Sequence, residues 1–279
     1  MQLVGFVKKT AKQILPYWVK GRIRKYMASP LTKGFAPSAG GLAFSGEQQP
    51  LVDTDPVSRK FHQLGPWLTK YEFQGREYGG KFSYAGDDRV RDFSAWLDVK
   101  GKVLELGSFE AAHTSLLSAD PRITSVLGLD GRIYLVERGN FIKELFHNEK
   151  IAFDLCDFEI DSLKCFGRFD AVFCSGVLYH LTKPWRLLRN IAQVSDRLFL
   201  STHFANEGET SVKGYKGTIH GEFGFLEPLS GLDNHSFWPT LDSLKQMVED
   251  CGFTIVQSKI YSDGRQDPLA NFYCHVKKK

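Results

Sequence analysis

The chain lacks disulfide chemistry, a membrane-length apolar run and, over its first 46 residues, any acidic side chain. Its 279 residues hold five cysteines, Cys156, Cys165, Cys174, Cys251 and Cys274, an odd number with no C-x-x-C pair. That spacing excludes a disulfide scaffold and a structural zinc knuckle, and it points to a reducing compartment. No apolar stretch approaches the ~20 residues that span a bilayer, and the N-terminus lacks the features of a secretory signal. The expectation is a cytoplasmic protein. The eight histidines form no H-x-x-x-H or H-E-x-x-H pair, so no metal site is expected.

Charge is unevenly spread. Eight of the 36 basic side chains lie in residues 1–46, so the remaining 28 face all 32 acidic ones. The body is therefore mildly acidic and speaks against nucleic acid as a partner. Residues 2–27 read as a basic amphipathic helix or helix pair, with Val4, Val7, Ala11, Ile14, Leu15 and Trp18 at helical spacing between lysines. Such a segment packs on the body, makes a peripheral contact with anionic lipid at the inner membrane surface, or touches RNA. The stretch from Ala28 to about Asp55, rich in Ser, Gly and Pro, reads as a linker. Residues 1–67 are accordingly expected as an N-terminal extension and 68–279 as the principal domain.

Thr69–Phe73 followed by Gln74-Gly75 suggests a hairpin, and Asp87–Leu97 a helix. From Lys100 strands and helices alternate. The strands are KVLEL, ITSVLGLD, IAFDLCD, FDAVFCS and RLFLST; the helices between them are Ala111–Ser118, Ile133–His147 and Pro184–Val194. Residues 204–239 show no clear element and read as a substrate loop or lid. Helix Thr240–Cys251 and a closing hairpin of FTIVQSKIYS and NFYCHVK end the chain. The fold class is α/β: a Rossmann-like, seven-stranded, mostly parallel sheet with a C-terminal antiparallel hairpin and helices on both faces.

Ligands of open α/β sheets bind at the carboxyl ends of the strands. After the first strand stand Glu105, Gly107 and Ser108, an acid and a tight turn that let a ligand approach the backbone. Asp130 ends the second strand, 25 residues beyond Glu105, where an acid can accept both hydroxyls of a ribose. Asp157 and Phe158 follow the third and suit the edge and face of an adenine. Cys174, Ser175, Gly176, Tyr179 and His180 follow the fourth, and His203 ends the fifth.

These residues resemble the class I S-adenosylmethionine-dependent methyltransferases over about residues 68–278. VLELGSFEAAHTSLL is similar to the family's first motif. FDAVFCSGVLYHLTKPWRLLRNIA resembles the fourth-strand motif of a bacterial subgroup related to the wobble-uridine carboxymethyltransferases. The resemblance implies S-adenosylmethionine as cofactor. It implies that Glu105, Gly107 and Ser108 meet the methionine part or shape its turn, that Asp130 holds the ribose, and that Asp157 and Phe158 hold the adenine. Cys174, Ser175 and Gly176 would floor the reactive centre. His203 and His180 are the candidate bases, and His113, Tyr179 and Trp238 the candidate substrate contacts. Phe109 and Ala111 depart from the family's later glycines, and Phe109 is expected to point away from the cofactor.

The implied activity is O-methylation of a small-molecule, glycan or lipid-linked acceptor. Its alternatives are a tRNA-modifying enzyme and a non-catalytic scaffold of the same fold. A nicotinamide-dependent dehydrogenase shares the acid at Asp130 but needs G-x-G-x-x-G after the first strand. Here Glu110 is expected to place negative charge where that cofactor's pyrophosphate would sit.

Overall fold

The structure is a computed structural model that describes residues 55–262 and 267–277. The basic segment 2–27 and most of the expected linker lie outside the described residues. The expected linker ends in a helix start. Asp55 accepts hydrogen bonds from the backbone of Val57 and Ser58, and Pro56 opens helix α1 (Pro56–Gln63). A side-chain cap followed by a first-turn proline satisfies backbone donors that would otherwise face no partner. Phe61 of α1 packs with Trp67, Tyr71 and Phe141. The expected hairpin forms as β1 (Lys70–Phe73) and β2 (Arg76–Gly79), turning through Gln74 and Gly75, both at positive φ.

The central sheet follows. Helix α2 (Asp88–Trp96) precedes β3 (Gly101–Leu106). Then come α3 (Ala112–Ser118), β4 (Ile123–Asp130), α4 (Ile133–Leu145), β5 (Ile151–Leu155), β6 (Ala171–Ser175), α5 (Pro184–Ile191) and β7 (Arg197–His203). Beyond an inserted sheet stand α6 (Leu241–Asp250), β11 (Phe253–Tyr261) and β12 (Leu269–Val276). The spatial order is β11-β12-β7-β6-β3-β4-β5, parallel from β7 to β5 with β12 antiparallel to β7 and β11 to β12. It is the expected seven-stranded sheet. Alternate residues face opposite layers, as the pleat requires. Leu104, Cys174, Leu198 and Phe272 meet α5 and α6, whereas Val103, Phe173, Phe199 and Tyr273 meet α2 and α3. Strand order reverses between β3 and β6, and the crevice at that switch point holds the site.

Residues 204–239 differ from expectation. They carry a three-stranded antiparallel sheet of β8 (Thr210–Val212), β9 (Tyr215–Gly221) and β10 (His235–Pro239). Short strands and glycines concealed it. Gly217 is required there, because a Cβ would stand 2.2 Å from the carbonyl oxygen of Trp238 on the paired strand. The segment between β9 and β10 reaches back to the crevice. No helix among the described residues is long and apolar enough to cross a membrane.

Candidate active site

A cavity of about 380 Å³ opens at the carboxyl ends of β3, β4, β5 and β6. Gly107 turns the chain off β3 at φ +76°, and a Cβ there would collide with Val177 Cγ2 at 2.3 Å. Phe109 and Ala111, which stand where the family carries glycines, also adopt positive φ, +50° and +69°. The turn keeps a glycine-like path without glycine, at a cost of roughly 1–2 kcal/mol for each residue. Hydrogen bonds hold it: Phe109 N donates to Asp130 Oδ2 at 3.1 Å and Ala111 N to Ser108 O at 2.8 Å. Phe109 is among the residues that line the cavity.

Asp130, at the tip of β4, is buried and accepts a second bond from Arg132 N at 2.9 Å. Burial raises its carboxyl above the ordinary range, and the backbone donors oppose that. Phe109 N donates to one of its oxygens and Arg132 N to the other, and a carboxylate oxygen can accept more than one bond, so capacity remains for a pair of ligand hydroxyls. Asp157 and Phe158 line the same cavity beyond β5. Burial pushes the Asp157 carboxyl up to about 6, with Asp161 and Asp233 adding to it against the bond from Glu159 N. Ser108 also lines the cavity, and its buried hydroxyl has no hydrogen-bond partner among the described residues. These donors and acceptors fit an adenosyl group with a polar amino-acid arm.

Glu105 stands one layer deeper and is absent from the cavity wall. Burial pushes its carboxyl up to about 8, against the hydroxyl of Thr114 that donates to it. Ser175 and Gly176 line the cavity, whereas Cys174 faces the opposite layer and is fully buried. Its thiol is pushed up to about 12 by that burial. The pleat separates them, since neighbours on a strand point to opposite faces.

Tyr179 and His180 line the cavity. His180 Nδ1 lies 3.0 Å from Glu222 Oε1. Burial works against the Glu222 charge, but His180, Ser230 and Gly231 N outweigh it and bring the carboxyl down to about 2. His203 does not reach the cavity wall. Its ring stacks on Trp238 at 5.5 Å and meets Tyr179 edge-on at 4.6 Å, and Nδ1 donates to Pro268 O at 3.1 Å. Trp238 is likewise outside the wall, stacked between His203 and His220. His113 is in the wall, 3.2 Å from Asp87, and burial lowers its pKa.

Sequence reasoning missed several residues. Tyr84 enters the wall from the loop before α2, and Arg89 from the first turn of α2. Arg132 donates to the carbonyls of Phe225, Glu227 and Ser230 and so ties the 222–234 segment over the crevice. Glu222 is the other tie. Nothing local in the sequence marks Arg132 and Glu222 as ties, because Arg132 meets loop carbonyls 93–98 residues away and Glu222 meets His180 42 residues away. Glu110 is a correction. It is buried 2.6 Å from Arg138 Nη1 and accepts from Leu68 N and Thr69 N, so its charge is turned away from the crevice. A carboxylate at that depth requires a partner, and α4 supplies one.

A family model described as a methyltransferase domain matches residues 78–258. The chain belongs to that family, the class I S-adenosylmethionine-dependent methyltransferases. The N-terminal domain of EvdMO1, crystallised in the presence of SAH and D-fucose, is 29% identical with a TM-score of 0.70, covering 80% of this chain and 96% of that one. A 1,6-didemethyltoxoflavin-N1-methyltransferase of Burkholderia thailandensis, 17% identical with a TM-score of 0.51, shares the fold. The tRNA U34 carboxymethyltransferase of Shewanella amazonensis is 30% identical over 159 residues, 56% of this chain and 44% of that one. The Campylobacter concisus enzyme of the same name is 27% identical over 154 residues. This methyltransferase chain matches about half the length of those curated relatives.

Proposed function

We propose that the protein transfers a methyl group from S-adenosylmethionine to a hydroxyl of a small-molecule or glycan acceptor. The observation that carries this reading is a single cavity that joins Asp130 and Asp157, at the tips of neighbouring strands, to the His180–Glu222 pair. Asp130 would hold the ribose hydroxyls, Asp157 and Phe158 the adenine, and Ser108 the amino-acid arm. The cofactor supplies an activated methyl on a sulfonium. The chain's own contribution is alignment and removal of water, with a base for the acceptor proton.

His180 is that base in this reading. Glu222 stays anionic down to about pH 2, so Nδ1–H donates to it and the Nε2 lone pair is left to take a proton. Nε2 would take the proton that the acceptor hydroxyl gives up when its oxygen receives the cofactor's methyl group. His203 has its Nδ1 committed to Pro268 O and packs against Tyr179. It supports the Tyr179 wall. In this reading residues 68–279 are the catalytic domain, and α1 packs upon it.

The test is conversion of methyl-labelled S-adenosylmethionine with a panel of sugars, glycolipids and transfer RNA. Label in a neutral hydroxylated acceptor supports the reading, and label confined to transfer RNA overturns it. A transfer RNA acceptor is the second reading, favoured by the two curated relatives. The acid excess of residues 47–279 argues against it, since phosphate neutralisation needs a basic face.

A further inference from the structure

A second hollow, of about 420 Å³, adjoins the cofactor cavity. Residues 83–89 bound it on one side, and Tyr261, Leu269 and Asn271 on the other. Tyr84 and Arg89 belong to the walls of both spaces. The sheet register fixes how they are related. Ser175 pairs with Ser201, and Ser201 with Asn271, so the three stand in one row across β6, β7 and β12. Directly paired residues share a face, and two strand spacings separate the ends of the row, roughly 10 Å. Ser175 is in the wall of the cofactor cavity and Asn271 in that of the second hollow. Arg89 Nη1 donates to Ser175 Oγ at 3.3 Å from above the row.

Asn271 is only 3% exposed, yet its side-chain oxygen has no hydrogen-bond partner among the described residues. An unsatisfied buried acceptor costs about 1–3 kcal/mol, and Asn271 stands in the wall of an open space from which a ligand's O–H or N–H can approach it. Charge narrows the class. Arg89 is held by Asp87 through Nε at 3.0 Å and Nη2 at 2.6 Å, and Asp88 adds a further carboxylate. Arg91 pairs with Asp88 at 2.7 Å, so these acids and arginines balance, and among the described residues no lysine or unpaired arginine lines the hollow to draw phosphate or carboxylate. Tyr84 and Tyr261 add aromatic surface to it.

We infer that this second hollow seats the acceptor, and that the acceptor is a neutral, hydroxyl-rich ring such as a pyranose, held by Asn271 and Tyr84. One hydroxyl then reaches past Tyr84 and Arg89 into the cofactor cavity. That cavity has the room of a single small ligand, so cofactor and acceptor occupy separate chambers. The inference rests on the methyltransferase reading above.

The test is saturation-transfer NMR on the full chain with SAH bound. The neutral probes are methyl β-D-glucopyranoside and D-fucose, and glucose 6-phosphate is the anionic one. SAH affinity is measured alongside by calorimetry. The neutral probes should show transfer that weakens at least about tenfold in Asn271→Leu and in Tyr84→Ala, as loss of one hydrogen bond predicts. SAH affinity should stay within about twofold of wild type in Asn271→Leu, which lies outside the cofactor cavity, and Tyr84→Ala is read with SAH at saturation. Tyr84→Ala alters a loop and keeps the test open if Asn271→Leu does not fold. Neutral probes that bind neither protein, or both equally, while SAH still binds would overturn the acceptor seat alone. Stronger transfer to the phosphate would overturn the charge argument and the seat with it. Failure of wild type to bind SAH would overturn the methyltransferase reading itself, and the seat falls with it.

Discussion

His180 and Glu222 are 42 residues apart in the chain and 3.0 Å apart across the crevice. The same carboxylate accepts from the hydroxyls of Ser230 and Ser236 and from Gly231 N. One buried group therefore orients the candidate base and ties down the segment that covers it. His180→Ala should lower kcat by about 10²–10⁴, the range of general-base catalysis, with SAH affinity unchanged. Glu222→Gln should lower kcat and also raise KM, because it loosens the cover as well as the imidazole. Steady-state kinetics with a fixed acceptor separates the two effects.

Glu222 also gives an acid-stability prediction. Its carboxyl is brought down to about 2 in the folded protein, below its ordinary value of 4.5. A depressed carboxyl contributes stability that is present above pH 4.5 and lost as pH falls towards 2. The contribution is on the order of 3 kcal/mol. Urea titrations should show a shallower loss over that window in Glu222→Gln than in wild type.

Glu105 has the opposite sign. Burial pushes its carboxyl up to about 8, so the folded state binds a proton that the unfolded state releases near 4.5. Stability therefore falls as pH rises from 4.5 to 8, by several kcal/mol in order of magnitude. Glu105→Gln should flatten that slope while keeping the contact with Thr114. A slope unchanged by the substitution would mean that Glu105 is ionised in the folded protein.

Arg138 and Glu110 form a buried pair that fastens Leu68 and Thr69, at the start of the β1–β2 hairpin, to the turn after β3. Removing one member strands the other charge. Arg138→Leu should destabilise the protein by about 3–5 kcal/mol, whereas a double change to apolar residues should recover much of that. Chemical denaturation of the single and double variants checks it.

The parallel core was legible because its strands are short apolar runs separated by helical spacings, and each ends in a residue that the pleat directs to the crevice. Asp130 and Asp157 were legible for the same reason, since a strand tip fixes position without knowledge of tertiary contacts. The β8–β10 sheet was not. Gly217 and Gly221 break the apolar alternation, and Gly217 is there to admit the Trp238 backbone. Charge proved the least readable property. Glu110 was expected at the crevice and turned to Arg138, while Arg132 found its partners among loop carbonyls. A carboxylate or guanidinium on a long side chain chooses among several directions, and only the packed neighbours decide.

The backbone at Phe109 and Ala111 adds a lesson of its own. A motif reader sees missing glycines and expects an altered turn, yet both residues take the glycine region of φ. Asp130 helps to hold them there through Phe109 N. The residue expected to bind the ribose thus also shapes the turn beside it.

Calorimetric titration of the full chain with S-adenosylhomocysteine, wild type beside Asp130→Ala, tests the account most directly. Saturable binding at one site per chain is predicted, weakened by about 1.5–3 kcal/mol in the variant, as for the loss of charged hydrogen bonds. Absence of binding by the wild type would contradict the assignment of the cavity to the cofactor. Equal affinity in the two proteins would contradict the place given to Asp130.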